Sequence, residues 1–230
     1  MKHNIKSLRK QVGFTLVEIA IVLVIIGLLL GGVLKGQEMI ENARIKAVVG
    51  DMNGIGAAYA SYVDRYRAVP GDETAAAMTA RGWPGGATGG NANGRLDTAP
   101  ADTFTNIVIE QASMWRALRG SGLASGDAAA PVGPGSLPTT SSGGLIGVSM
   151  RAYGLPGVTV CASGLTAKQA AGIDAAVDGA SRVGSGNANG SVRGFGSTTV
   201  NPLPPAAVAP GNAGFNDATA GALWTMCRSI

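Results

Sequence analysis

The sequence contains little histidine and little charge. Its one histidine is His3, and only 14% of its 230 residues are charged, against about a quarter in typical soluble domains. Because residues 14–230 contain no imidazole, they cannot form a Ser–His or Cys–His nucleophile pair, a His-Glu-x-x-His zinc site or a histidine general base. The sequence also lacks a Gly-x-x-x-x-Gly-Lys phosphate loop and a Gly-x-Ser-x-Gly elbow. We therefore expect a protein that is not an enzyme and has no catalytic residues.

The net positive charge comes from one end of the chain. The first 13 residues contain four basic side chains and no acid, whereas residues 14–230 contain 14 basic and 14 acidic side chains. A chain that is neutral after its first residues tends to associate with its own copies and has no electrostatic reason to bind a phosphate backbone. The sequence therefore predicts no nucleic-acid partner.

A long apolar run follows the basic segment. It covers residues 14–34 and contains only two polar side chains, Thr15 and Glu18. At about 1.5 Å per residue, a helix of this length spans the hydrocarbon core of a bilayer. The basic residues before it place the N-terminus on the cytoplasmic side, so that the following residues are exported. The apolar region of an ordinary cleaved signal peptide is shorter, about 7–15 residues, and is followed by a small-x-small cleavage site that this sequence lacks.

Glu18 is the unusual residue of the apolar run. An ionised carboxylate costs roughly 2.5–3.5 kcal/mol at the bilayer centre and less near the interface. Either Glu18 lies shallow enough to reach the headgroups, or it has a partner of opposite charge.

The basic segment, the sequence Gly13-Phe14-Thr15-Leu16-Val17-Glu18 and the apolar run together resemble the N-terminus of type IV pilins and of the related pseudopilins of type II secretion. The resemblance implies cleavage after Gly13 by a prepilin peptidase, which also methylates the new N-terminal residue, Phe14. It further implies that Glu18, the fifth residue of the processed chain, attracts the N-terminal amine of a neighbouring subunit during assembly.

The function that this resemblance implies is that of a structural subunit of a type IV pilus-like filament. Its partners would be copies of itself in a helical homopolymer, the prepilin peptidase and methyltransferase, the inner-membrane assembly machinery and other pilins. The subunit would cross the bacterial inner membrane once, with its C-terminal domain in the periplasm, and would become extracellular on assembly. A pseudopilin or minor pilin of a type II secretion-type system is the first alternative, and a membrane-anchored periplasmic binding module is the second.

The pattern of apolar residues divides the chain into four parts. We expect a leader at residues 1–13, a transmembrane and assembly helix at 14–34, an amphipathic continuation at 35–68, and a globular pilin-like domain at 69–230. The continuation is predicted from apolar residues spaced by four and three, which lie on one helical face. These residues are Val48, Met52, Ile55, Tyr59, Tyr62 and Tyr66.

The C-terminal part predicts short strands and helices separated by glycine-rich loops. Strands are expected at residues 144–150 and 158–161, with weaker candidates at 191–195 and 222–227. Helices are expected from a cap at Asp102 to about Gly120, and over 165–177. A long helix packed on a small antiparallel sheet is an α+β architecture.

Two copies of the sequence Gly-Asn-Ala-Asn-Gly occur, at residues 90–94 and 186–190. Their asparagines have the spacing of part of a calcium loop, but neither copy has the first-position acid or the twelfth-position glutamate of the full pattern. We favour turns, since Asn and Gly tolerate positive φ, and predict no cofactor and no metal ligand. Calcium stays an alternative here, because pseudopilins bind it in a C-terminal loop.

The chain has two cysteines, Cys161 and Cys227, and both lie in the part expected to be exported. An oxidising compartment favours a disulfide between them; two buried free thiols are the alternative. Closing the loop between them would stabilise the domain by roughly 4 kcal/mol in a chain-entropy model. A disulfide near the C-terminus also resembles the pilins.

Overall fold

A computed structural model describes most of the chain after the leader. The described residues are 13, 15–83, 89–105, 109–179, 190–206, 215 and 221–230. They divide into two compact units at the boundary between Glu41 and Asn42. The first unit contains the N-terminal part of the long helix, and the second contains the rest of that helix and all later elements.

The described elements are four α-helices and four strands. The helices are α1 (Leu16–Tyr66), α2 (Ala75–Ala80), α3 (Ile109–Gly120) and α4 (Ala167–Asp178). The strands are β1 (Ile146–Met150), β2 (Val158–Leu165), β3 (Val192–Ser197) and β4 (Leu223–Ser229). They form one antiparallel sheet in the order β1-β2-β4-β3. The α+β architecture expected from the sequence is confirmed.

Helix α1 ends where the sequence stops supporting it. Arg67 adopts a left-handed conformation with φ 54°, and its N–H donates to the carbonyl of Val63 at 2.9 Å. This is a common way to close a helix C-terminus, and Pro70 follows shortly after. The helix therefore ends at Tyr66, close to the end that the apolar stripe predicts.

The apolar stripe of α1 packs into the core of the second unit. Val48, Met52 and Tyr62 are at most 2% exposed, and the other three stripe residues are half-buried against the same core. Beyond the stripe, Ile45 and Ala58 are also buried. The second part of α1 is thus a core helix of this unit, because its apolar side chains cover the sheet.

Both faces of the sheet are covered. Every residue of the central strand β2 except Gly164 is buried. On one face α4 packs on β2, β3 and β4. Beside β1 the backbone at Thr103 comes so close that a Cβ on Gly147 would lie 2.0 Å from the carbonyl oxygen of Thr103. Gly147 is therefore required by this close approach.

Three local features differ from the sequence-based expectations. Asp102 does not cap α3: it ends a short 3-10 helix, Pro100–Asp102, while α3 begins at Ile109. That short helix begins with Pro100, and the carbonyl of Asp102 accepts from the N–H of Thr105 at 3.0 Å. The segment therefore forms a turn of its own. Strand β2 is four residues longer than expected, and α2, which Thr74 caps, was not predicted.

Candidate functional site

The N-terminus of α1 is closed by a reciprocal pair of side-chain hydrogen bonds. The N–H and the hydroxyl of Thr15 both donate to Glu18 Oε2 at 2.8 Å, and the N–H of Glu18 donates to Thr15 Oγ1 at 3.2 Å. This is a capping box, in which residues three apart satisfy each other's backbone N–H groups. The pattern Thr-x-x-Glu before an apolar run is its sequence signature, so the sequence would have been enough to predict it. Glu18 therefore has a defined position at the first turn of the helix.

The first unit presents apolar side chains that its own residues leave uncovered. Every described residue from Thr15 to Leu34 is exposed, including large side chains such as Leu16, Leu23 and Leu28. An 18-residue window of α1 has a mean hydropathy of 2.8 with none of its residues buried. By length and composition this apolar helix is compatible with a membrane anchor. Of the predicted processing residues, Phe14 lies outside the described residues, and Gly13 has no other atom within 4 Å of where a Cβ would be.

Cys161 and Cys227 are joined by a disulfide across the centre of the sheet. They are directly opposite each other on the neighbouring strands β2 and β4, and both side chains are fully buried. The residues that follow β3 also lie against this sheet: Thr225 donates to the carbonyl of Pro202 at 2.7 Å, and Tyr153 N–H donates to that of Pro205 at 2.8 Å. The disulfide ties the last strand of the chain to the centre of the domain.

The first Gly-Asn-Ala-Asn-Gly copy is a loop held by two buried carboxylates. Asp72 accepts from the N–H groups of Asn93 at 2.9 Å and Gly94 at 2.7 Å. Glu110, at the start of α3, accepts from the N–H of Asn91 at 3.3 Å and from that of Asp97. Burial raises the pKa of Glu110, and these two backbone donors oppose the rise.

The same loop uses the backbone freedom that its sequence predicts. Ala92 and Gly94 have positive φ, at 57° and 84°, so the first copy is a turn. Gly71, with φ 95°, allows the preceding turn to reach α3, because a Cβ there would lie 2.3 Å from the carbonyl oxygen of Glu110. In the part of the chain that the structure describes, no three His, Cys, Asp or Glu side chains have the arrangement of a metal site. The second copy lies outside the described residues except for Gly190.

A second polar cluster fixes the C-terminal end of α1. The hydroxyl of Tyr62 donates to the buried carboxylate of Glu73, and Arg81 forms an ion pair with the same carboxylate. The Arg81 guanidinium also lies over the rings of Tyr66 and Trp83, at 4.8 and 5.1 Å from their centroids. Burial and the bond to Glu73 raise the pKa of Tyr62. Each polar group of this cluster interacts with another member of the cluster. Such a satisfied polar network stabilises the fold at this position.

Asp174 is a buried acid in the middle of α4. Its side chain is fully buried, and neither carboxylate oxygen has a hydrogen-bond partner among the described residues. Burial, together with the charge of Asp178 one turn later, raises the pKa of Asp174 to about 6. The folded domain therefore holds the proton of Asp174 more tightly than the unfolded chain does.

This shift predicts a pH-dependent stability. The stabilising contribution of protonated Asp174 is complete below about pH 4, the range of an ordinary Asp, and is lost as the pH rises through about 6. Asp174→Asn removes the titration, so we expect it to raise the stability relative to the native protein at pH 7, by roughly 2–3 kcal/mol, and to change it little at pH 4. Denaturant unfolding at the two pH values measures this difference. An equal effect at both would contradict the assignment, and Asp127→Asn, at an exposed loop position, is the control.

A comparison with known protein families finds a match at the N-terminal segment of the chain. A model of the prokaryotic N-terminal methylation motif matches residues 8–34, a segment that contains Gly13, Phe14 and Glu18 and the start of the exposed apolar helix. No curated protein and no solved structure gives a significant match to the chain. The chain carries the N-terminal signature of type IV pilins and pseudopilins, which supports a pilin-like or pseudopilin precursor.

Proposed function

We propose that this chain is a prepilin, which is cleaved after Gly13, N-methylated on Phe14 and polymerised through the N-terminal part of α1. The proposal rests on two observations together: the methylation motif matches residues 8–34, and a continuous exposed apolar helix begins at Leu16, three residues after Gly13. Its immediate partner is the prepilin peptidase and methyltransferase, for which residues 13 and 14 are substrate groups. The chain itself is assigned no catalytic role.

The exposed apolar surface supports both stages of this function. Side chains such as Leu16, Leu23 and Leu28 are 90%, 63% and 73% exposed in the isolated chain. Water is an unfavourable environment for a surface of this kind. Lipid covers it before assembly, in a single pass through the inner membrane with the C-terminal domain in the periplasm, and neighbouring copies cover it in an extracellular filament.

Glu18 supplies the electrostatic contribution to assembly. In the isolated chain its carboxylate is held by Thr15 alone among the described residues, which satisfies hydrogen bonds but leaves the negative charge unbalanced. Cleavage after Gly13 creates an amine close to this carboxylate in sequence. In a medium of low dielectric constant, the amine of a neighbouring copy is strongly attracted to Glu18, and a misplaced copy leaves a buried charge uncompensated. The pair therefore selects the axial position of the incoming subunit.

Pseudopilins and minor pilins carry the same signature. They share the processing site and the apolar helix, and differ from major pilins in abundance and filament length. The secretion-type alternative therefore makes the same predictions for residues 13 and 14, and the amount of protein found in extracellular filaments separates the two functions.

The processing step is tested by changing Gly13, where the structure leaves room for a side chain. With a prepilin peptidase present, we expect the native chain to lose its 13-residue leader, whereas Gly13→Val retains it. Gly36→Ala, at a helical glycine that also has open space around it, is the control and is processed normally. Intact-mass spectrometry of the membrane fraction measures the difference. Equal processing of Gly13→Val and the native chain would contradict the assigned cleavage site.

A further inference from the structure

A groove of about 600 Å³ lies beside the end of β1, in the C-terminal domain. Its lining includes Arg95, Asp97, Thr98, Pro100, Met150 and Arg151. The volume is in the range of ligand-binding clefts. We call this surface the Arg95/Arg151 groove. Its ionisable lining residues are two arginines and one aspartate, so it is net positive within a domain that has no net charge excess.

Arg151 is held in an unusual backbone conformation at this groove. Its φ is 58°, in the left-handed region that glycine and asparagine occupy at lower cost. Its backbone is fixed on both sides, because its N–H donates to the carbonyl of Gly157 at 2.9 Å and its carbonyl accepts from Gly154 at 3.1 Å. Its guanidinium has no hydrogen-bond or ion-pair partner among the described residues. A strained, exposed arginine without an internal partner indicates that the side chain serves an external one.

The remaining polar groups of the groove fit the same interpretation. The guanidinium of Arg95 uses Nε to bind Asp97 at 2.7 Å and is otherwise largely exposed. The groove thus offers the guanidinium groups of Arg95 and Arg151, of which the first is already paired with Asp97.

The chemistry of the groove favours carboxylates on a polypeptide over the phosphates of a nucleic acid. Guanidinium forks match carboxylate and phosphate oxygens alike, so the rest of the lining decides between the two, and it includes the apolar side chains of Pro100 and Met150. Among the lining residues that the structure describes, none is aromatic, so bases have no stacking platform. We propose that the Arg95/Arg151 groove binds an acidic polypeptide segment.

The test is binding of fluorescein-labelled hexaglutamate to the full chain in detergent, followed by fluorescence anisotropy at low ionic strength. Arg151→Asn removes the guanidinium and keeps a residue that tolerates the left-handed conformation, so the fold is retained. We expect this change to weaken binding about tenfold, the usual effect of losing one charge-assisted contact. Arg95→Gln provides a second variant, at a position with ordinary backbone geometry, and is expected to have the same effect.

The matched control is Arg67→Asn. Arg67 is also an exposed arginine at positive φ, but it lies at the end of α1 outside the groove, so the change removes the same charge from the same conformation and leaves binding unaltered. Equal weakening by Arg67→Asn and Arg151→Asn would overturn the proposal in favour of general charge attraction. Equal binding of hexaglutamine, or no binding of hexaglutamate, would also overturn it. A single-stranded oligonucleotide that binds more tightly than hexaglutamate and depends on Arg151 would replace the assigned ligand class by nucleic acid.

Discussion

We expect that replacing Glu18 by glutamine abolishes filament formation and leaves leader cleavage intact. Glutamine keeps the shape of the side chain and still accepts a hydrogen bond from Thr15, so the helix start of the isolated chain is preserved. The negative charge that we propose attracts the amine of a neighbouring copy is lost. Because breaking a buried ion pair costs about 3–5 kcal/mol, adding one subunit becomes at least a hundredfold less favourable. The measurement is the amount of protein released by shearing cells, relative to the processed protein in the membrane.

The control for this experiment lies in the same helix. Glu38→Gln removes a carboxylate that is exposed and paired with Lys35 at 2.8 Å, beyond the apolar run. An exposed pair of this kind contributes little to stability, so sheared protein is expected at the native level. If Glu18→Gln gave filaments in native amounts, the charge of Glu18 would have no part in assembly.

Removing the disulfide has the largest expected effect on the stability of the C-terminal domain. A chain with both Cys161→Ala and Cys227→Ala is expected to lose about 4 kcal/mol of unfolding free energy, because its unfolded state regains the freedom of a loop of 66 residues. This is a large part of the total stability of a small domain, about 5–15 kcal/mol. All three tryptophans lie in the second unit, so tryptophan fluorescence during denaturant unfolding reports on this unit.

The reduced native chain is the matched control for the double variant. Its thiols have no covalent link, so its unfolding midpoint is expected to fall close to that of the variant. Since both cysteines are fully buried, a reducing agent is expected to act only when the domain is partly unfolded. A double variant as stable as the oxidised native chain would show that the disulfide contributes nothing to stability.

The elements that the sequence predicts best are those with a repeating pattern. The apolar stripe identifies α1 and its buried face, because residues three and four apart must lie on the same side of a helix. The alternation of apolar residues near Cys161 and Cys227 places both cysteines on strands. The capping box of Thr15 and Glu18 was not predicted, although its spacing of three residues is a local motif from which it could have been recognised.

The features that sequence reasoning missed depend on contacts between distant residues. Asp72 and Glu110 hold the loop at residues 91–97, but Asp72 lies in a turn and Glu110 at the start of α3, and no local pattern indicates that they meet. The same holds for Tyr62, Glu73 and Arg81, which belong to α1, a turn and the end of α2. Asp102 was assigned the wrong role because an acid before an apolar run is typical of a helix cap, whereas Pro100 begins a separate short helix here.

The central claim is that this chain is processed at Gly13 and assembled through the N-terminal part of α1, which begins at Leu16. The most direct measurement is mass spectrometry of the N-terminal peptide in two fractions of cells that express the protein, the filaments released by shearing and the remaining membranes. Our account predicts that the sheared fraction contains a peptide that begins with N-methylated Phe14. Methylated Phe14 confined to membranes would favour the pseudopilin or minor pilin, and a chain that keeps residues 1–13 in both fractions would contradict the account.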